Sequence, residues 1–412
     1  MPDTHRPFDA LRLPGFRTFL LTFLLTMMAD NIEHVISYWV AFQKFRSPAL
    51  GGFAVVSHWV PFLVLSVPVG ALNDRFDSRR LIQIGAGLFM TVALGWGYFF
   101  MTGTLKVWHA MALLSLHGCA GVFWLTSSQV LLYDVVGGAG IASAVRLNAT
   151  ARYLGMLAGP GVGSLILRTL SPSYGMLLNA TFYLPLLLWL IRAPYGPRFR
   201  SGEPPRRAVR GLADILQTLR DVRGLPILLS MIVLAGAASF FVGNSYQAQM
   251  PTFAEHLGHG DPGAAYTALL GADAAGALLG GLLLESGRSL LRIETSSALK
   301  LAALWAVALA AFALVRSYPL ALLCLFFAGF FELSFSSMTQ TIVQLQAPST
   351  IRGRVLGLFN MSSSGLRAFS GMTVGLAGSI LGVHASLALA ALAFLLVALA
   401  LLARVSSTAN VS

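Results

Sequence analysis

Long apolar runs, interrupted at intervals by Pro, Gly or charge, dominate the pattern of this chain of 412 residues. Read as helices, they give twelve candidate elements, with approximate spans 16–43, 50–72, 81–102, 107–133, 143–169, 173–192, 225–254, 263–284, 295–315, 318–346, 352–381 and 383–404. Each is close to or above the ~20 residues that one helical crossing of a bilayer requires. Between the sixth and seventh lies the one long polar segment, Arg192 to Arg223, holding Pro194, Pro197, Pro204, Pro205 and eight Arg. It reads as a linker with a short amphipathic stretch, Leu212 to Leu219, lying on the membrane surface. The pattern predicts an all-α polytopic membrane protein of twelve transmembrane helices in two six-helix pseudo-repeats. An N-terminal lobe over 1–192, a basic linker over 193–223 and a C-terminal lobe over 224–412 are expected.

Composition narrows the class. The chain is 56% hydrophobic and 11% charged, with a mean hydropathy of +0.73. A soluble domain carries about 25% charged residues, so a soluble enzyme is excluded. Cys119 and Cys324 fall inside apolar runs and read as buried thiols, neither a disulfide nor a metal site. The net charge of +12 reports topology. With the N-terminus inside, 20 of the 28 basic residues fall on inner segments and 5 on outer ones, while Arg152, Lys300 and Arg367 lie in or beside crossings. Lys and Arg are retained on the cytoplasmic side, so both termini are expected there, and no nucleic-acid partner is implied. His5, Arg6, Arg12 and Arg17 precede a run long enough to span, so no cleavable signal is expected.

The halves echo each other. Gly70 to Asp74 ends the second crossing and Gly281 to Glu285 ends the eighth, 211 residues later; Arg146 opens the fifth and Arg354 the eleventh, 208 residues later. Parallel six-helix repeats with a site at midplane are a transporter plan.

Charges inside the membrane cost about 2.5 kcal/mol or more each and mark function by default. Asp30, Glu33 and His34 share one face of the first crossing, and Asp30 lies roughly 20 Å of helical rise beyond Arg17. Two carboxylates and an imidazole at such spacing couple their titrations, which suits a proton carrier. Asp273 and Glu332 fall near the middle of the eighth and tenth crossings, with Arg152 and Arg367 as candidate charge partners.

Two motifs carry a resemblance. Gly70, Asp74, Arg75, Arg79 and Arg80, with Asp77 where a Gly is usual, resemble the loop motif of the major facilitator superfamily. Its carboxylate and guanidinium groups are expected to dock on a helix end of the opposite lobe. Gly155, Gly159, Pro160 and Gly163 in the fifth crossing resemble the superfamily's antiporter motif, with Ser164 in place of its last Gly. There, small residues bring helices close and the Pro is expected to add a kink. The acidic loop variant and the run Ile351 to Asn360 are most similar to the siderophore (enterobactin) exporter branch and related drug antiporters. That resemblance implies a monomeric carrier of the bacterial inner membrane, exporting a siderophore or drug-like compound in exchange for protons. It also implies a cavity lined by the first, fourth, seventh and tenth helices. Trp39, His117, Trp124, Gln129, Asn244, Tyr246, Gln247 and Gln340 are its candidate lining residues.

Rival readings stay open: an importer or lysophospholipid transporter of the same fold, or, from another class, a polytopic membrane enzyme. The eight His are scattered, and neither His-Glu-x-x-His nor a phosphate-binding Gly-x-x-x-x-Gly-Lys-Ser/Thr occurs. No cofactor and no metal are expected.

Overall fold

The computed structural model describes residues 8–196, 210–211, 213–243, 245–258, 264–286, 292–370 and 377–409; among them all regular structure is helical. The first half runs through α1 (Phe16–Phe45), α2 (Pro48–Arg75), α3 (Ser78–Thr102), α4 (Val107–Thr169), α5 (Pro172–Thr181) and α6 (Leu184–Arg192). A linker helix, α7 (Ala213–Arg223), follows. The second half holds α8 (Pro226–Phe241), α9 (Ser245–Ala248), α10 (Met250–His256), α11 (Ala264–Glu285), α12 (Thr295–Leu314), α13 (Tyr318–Gln346) and α14 (Arg352–Asn360). A π-helical turn, Met361–Gly365, then leads to α15 (Arg367–Ser370), α16 (Ala377–Leu381) and α17 (Val383–Ala409).

Nine helical runs among the described residues are long and apolar enough to cross a bilayer. One of them, α4, covers the fourth and fifth crossings. Its 63 residues are interrupted at Gly137, where φ 66° and ψ −179° describe a backbone open essentially to glycine alone. Two more crossings are assembled from short pieces. The seventh comprises α8, α9 and α10 and turns through Gly243 at φ +50°. The eleventh opens into the π-turn, where the Arg367 guanidinium and the Ser239 hydroxyl both donate to the Ser363 carbonyl. Broken helix is tolerated at membrane depth where such partners satisfy the freed backbone.

Within the first half α1, α2 and α3 pack on α4; within the second, α11 packs on α13 and α12 on α17. The first core is rich in Phe (Phe16, Phe19, Phe23, Phe89), while the second is centred on Trp305, Phe312 and Phe394. Leu188, Ile191, Leu314 and Leu396 point outward, more than 60% exposed. Apolar surface of that kind suits lipid, not water.

The halves meet along α2 and α14, where Gly70 lies against Gly353, Gly357 against Ser66 and Val67, and Gly365 against Leu63. At Gly70 and Gly353 the backbones approach so closely that neither position has room for a Cβ.

The linker helix α7 packs on α14 and α2, burying Asp214, Thr218 and Val222, one turn apart on a single face, with Ile215 and Leu219 partly buried against the apolar core. Leu216 is left 62% exposed. On the buried face Asp214 meets the buried Arg354, with Oδ1 3.4 Å from Nε.

Candidate functional site

On α1 the helical repeat stacks Asp30, Glu33 and His34 toward α2 and α4. His117 of α4 stands between the two carboxylates: its Nδ1 hydrogen-bonds Glu33 Oε1 at 2.8 Å, and its Nε2 lies 2.9 Å from Asp30 Oδ1. His34 Nδ1 is 3.8 Å from Asp30 Oδ2. His58 of α2 completes the group, its ring centroid 5.0 Å from that of His34 and 5.6 Å from that of His117. Two differences from expectation stand out. His117, expected on the cavity lining, is bonded into this charge cluster. His58 was not among the expected residues at all, though a His inside the apolar run of α2 was the available signal.

What holds α1 in place is the small-residue stripe of α4. Gly155 faces Met27 and Met28, Gly159 faces Met28 and Asn31, and Gly163 faces Ile32 and Val35. Pro160, on the same helix, is exposed and points away from this contact.

The second half gathers its own carboxylates. The Tyr246 hydroxyl lies 3.3 Å from both oxygens of Asp273 and 3.4 Å from Glu332 Oε2, while Gln247 Nε2 donates to Asp273 Oδ2 at 3.1 Å. Among the described residues no ion pair within 4 Å links Arg152 or Arg367 to either carboxylate. Glu332 instead shares the wall of a cavity of about 60 Å³ with both guanidinium groups. Arg367 also lies over the Trp59 ring, 5.2 Å from its centroid, a cation–π contact.

Between the halves lies a cavity of about 330 Å³ whose wall includes Asp30, His34, His58, Arg152, Trp124 and Arg367. It follows α1 from Met27 to Tyr38 and reaches the start of α2 at Val55. Gln129 and Gln340 line a smaller space of about 70 Å³ with Arg152 and Arg367. Trp39 lines neither space and is 53% exposed. Asn244 lies outside the described residues.

At the other end of the molecule the seam is closed. Asp74 accepts backbone N–H bonds from Gly353 (2.6 Å) and Arg354 (3.1 Å) at the start of α14, where the helix dipole is positive. Its echo, Glu285, accepts from Arg146 Nε at 2.7 Å and from the Ser143 hydroxyl. Gln344 Nε2 donates to the Gln129 carbonyl at 2.9 Å. Among the described residues, the loop's Arg79 makes contacts within its own half. Arg79 pairs with Asp77 at 2.6 Å and donates to the Ala193 carbonyl, both on its own side, while Arg75 and Arg80 are exposed. Asp77 explains this: it caps α3 by accepting from the Arg79 N–H at 3.0 Å, a side chain that glycine lacks.

A two-lobed helical bundle with a charged cavity on the seam and a latch at one end is the architecture of a transporter, and comparison with known proteins agrees. Residues 5–410 match the family described as transmembrane secretion effector, and the chain belongs to that family of major facilitator transporters. The enterobactin exporter EntS of Shigella boydii is 25% identical over 354 residues, 84% of this chain and 81% of that protein. EntS of Citrobacter koseri is 24% identical over 94% of this chain and 91% of its own length. The uncharacterized MFS-type transporter YfiS of Bacillus subtilis is 23% identical over 55% of this chain, a match spanning about half (53%) of that protein. Among solved structures, the Escherichia coli fucose:proton symporter FucP superposes with a TM-score of 0.72 at 14% identity, covering 97% of this chain and 99% of FucP. The proton:xylose symporter XylE gives 0.70 at 19%, covering 93% and 94%. The protein is a multi-pass membrane transporter of the major facilitator fold and not an enzyme.

Proposed function

We propose that the protein is a proton-coupled exporter of a small organic molecule, siderophore-like or drug-like, working by alternating access in a bacterial inner membrane. In this reading lobes 1–192 and 224–412, joined by the linker 193–223, rock about the seam, with both termini and the latch on the cytoplasmic side. The likeness to EntS supports export, and the Arg-rich latch end supports the orientation. The structure then corresponds to an outward-facing state: latch closed, cavity extending toward the far end.

One observation carries the coupling: Asp30 and His34 stand in the wall of the large cavity, with Glu33 bonded behind them to His117. A carboxylate there has a route for a proton, and no nucleotide motif supplies another energy source. Asp30 is the principal proton carrier, Glu33 the second, and His34 tunes the pH dependence. The Arg152 and Arg367 guanidinium groups and the Trp59 and Trp124 rings of the same wall suit an anionic aromatic solute.

Proteoliposomes test this. Under an imposed pH gradient the protein should concentrate enterobactin, the compound exported by EntS, or a drug-like dye. Fluxes indifferent to the gradient would overturn the coupling. For orientation, Ser201→Cys in a background lacking Cys119 and Cys324 should resist an impermeant thiol reagent in intact cells; rapid labelling would reverse the topology.

A further inference from the structure

His34, His58 and His117 come from three helices and are separated by 24 and 59 residues in the chain. Their nitrogens nevertheless converge: one ligand atom from each lies within 4.8 Å of the others. The backbone enforces part of this. Gly118, beside His117, lies against the Ser57 carbonyl beside His58, and a Cβ at Gly118 would also meet Pro61 Cγ at 2.9 Å. The imidazoles of α2 and α4 are therefore held close by a contact only a glycine permits.

Hydrogen bonding around the triad has the form of a metal site, not of a satisfied polar core. Glu33 Oε1 receives His117 Nδ1 at 2.8 Å, which leaves Nε2 as the nitrogen facing Asp30 and the other rings. A metal-ligating His is typically held in this way, its second nitrogen donating to a carboxylate. Among the described residues, His58 Nδ1 is a buried atom with no hydrogen-bond partner. Asp30 adds an oxygen 2.9 Å from His117 Nε2. Asp30, His34 and His58 all line the large cavity, which gives an ion a path in.

We infer that His34, His58 and His117 form a site for a first-row divalent metal ion of the Zn2+ type, and that Glu33 positions His117. Three imidazoles suit Zn2+ and its neighbours rather than Mg2+ or Ca2+. Zn–N bonds of about 2.0–2.1 Å place tetrahedral ligand atoms about 3.4 Å apart. The triad must therefore draw in by about 1.4 Å, which side-chain rotation of the partly exposed His34 and His58 supplies. The site goes beyond the export reading and does not depend on it, since binding is read without transport.

Full-length protein without a polyhistidine tag, purified in detergent, is titrated with CoCl2 and then ZnCl2. One Co2+ per chain with the visible absorption of tetrahedral coordination is expected, bleached by Zn2+. His58→Ala should weaken Zn2+ binding by about tenfold or more. Changing His256 and His384 to Ala, the stacked pair outside the cluster, should leave it unaltered. Because His58→Ala can also perturb packing, His34→Gln is read by thermal unfolding. Zn2+ should raise the midpoint of the wild type and not of this variant. Absence of tetrahedral Co2+ absorption, or equal Zn2+ stabilisation of wild type and His34→Gln, overturns the site.

Discussion

Each half of the molecule sets a pair of carboxylates among its central helices, and the two pairs are served by different chemistry. In the first half Asp30 and Glu33 lie one turn apart on a single helix, with the His117 imidazole between them. Such a ring offers up to two N–H groups, one for each carboxylate. In the second half Asp273 and Glu332 come from different helices and converge on the Tyr246 phenol, which has one hydrogen to give. Access differs as well. Asp30 stands in the wall of the large cavity, whereas Asp273 lines none of the three central spaces and Glu332 borders one of about 60 Å³. A group that exchanges protons during a transport cycle needs the first arrangement; a group that holds broken helix segments together needs the second. In the proposed reading, coupling belongs to the first half and support of the segmented seventh crossing to the second.

The largest effect should come from removing the first pair. Asp30→Asn with Glu33→Gln is expected to abolish uphill, pH-driven accumulation in proteoliposomes while leaving downhill exchange and substrate binding. Neutral amides avoid the cost of buried charge, so folding should survive. Asp30→Asn alone should be nearly as damaging, Glu33→Gln less so, and His34→Gln should only shift the pH profile. If the double variant still concentrates substrate, coupling belongs to Asp273 and Glu332.

The second pair should show itself in stability. Tyr246→Phe removes the hydroxyl shared by Asp273 and Glu332, and losing a partner of a buried acceptor costs about 1–3 kcal/mol. A lowered thermal midpoint with coupling intact is expected. Loss of the pH dependence with unchanged stability would reverse the roles of the two halves.

How much of this was legible in the sequence follows from where the information lies. The crossings and the gaps between them are local, so apolar runs bounded by Pro and Gly located them, and the 211-residue offset between Asp74 and Glu285 pointed to two related halves. The His triad was not legible, because its members share no helix and no short spacing; convergence needed the α2–α4 contact at Gly118. For a related reason the sequence does not reveal that α7 brings Asp214 to the buried Arg354. The breaks inside the seventh and eleventh crossings depend on φ at Gly243 and on donors from α8, which no run of residue types reveals.

The latches differ in the same spirit as the clusters and rank next. Asp74 is held by backbone N–H groups at a helix start, Glu285 by the Arg146 and Ser143 side chains. Asp74→Asn removes a charge from the positive end of α14, an effect of about 0.3–2 kcal/mol, and leaves one carbonyl acceptor for two donors. Transport should slow severalfold with substrate affinity little changed. Glu285→Gln loses the ion pair with Arg146 and should act in the same direction. Unimpaired transport by both variants would reduce these contacts to ordinary packing.

The smallest expected effect concerns Asp77, which stands where the related loop motif carries Gly. Asp77→Gly removes the cap of α3 and the partner of Arg79. Replacing an N-cap by Gly costs only a few tenths of a kcal/mol, and a pair this near the surface adds about 0–1 kcal/mol. Arg79 retains the Ala193 carbonyl at 2.6 Å, so the loop keeps its hold on the end of α6. Both contacts stay within the first half, and neither touches Asp74, Gly353 or Arg354. Transport should therefore be unchanged, with a small fall in thermal midpoint. A transport defect comparable to that of Asp74→Asn would mean that the Asp77–Arg79 pair sets the position of Asp74, and that the latch extends through the whole loop instead of resting on one carboxylate.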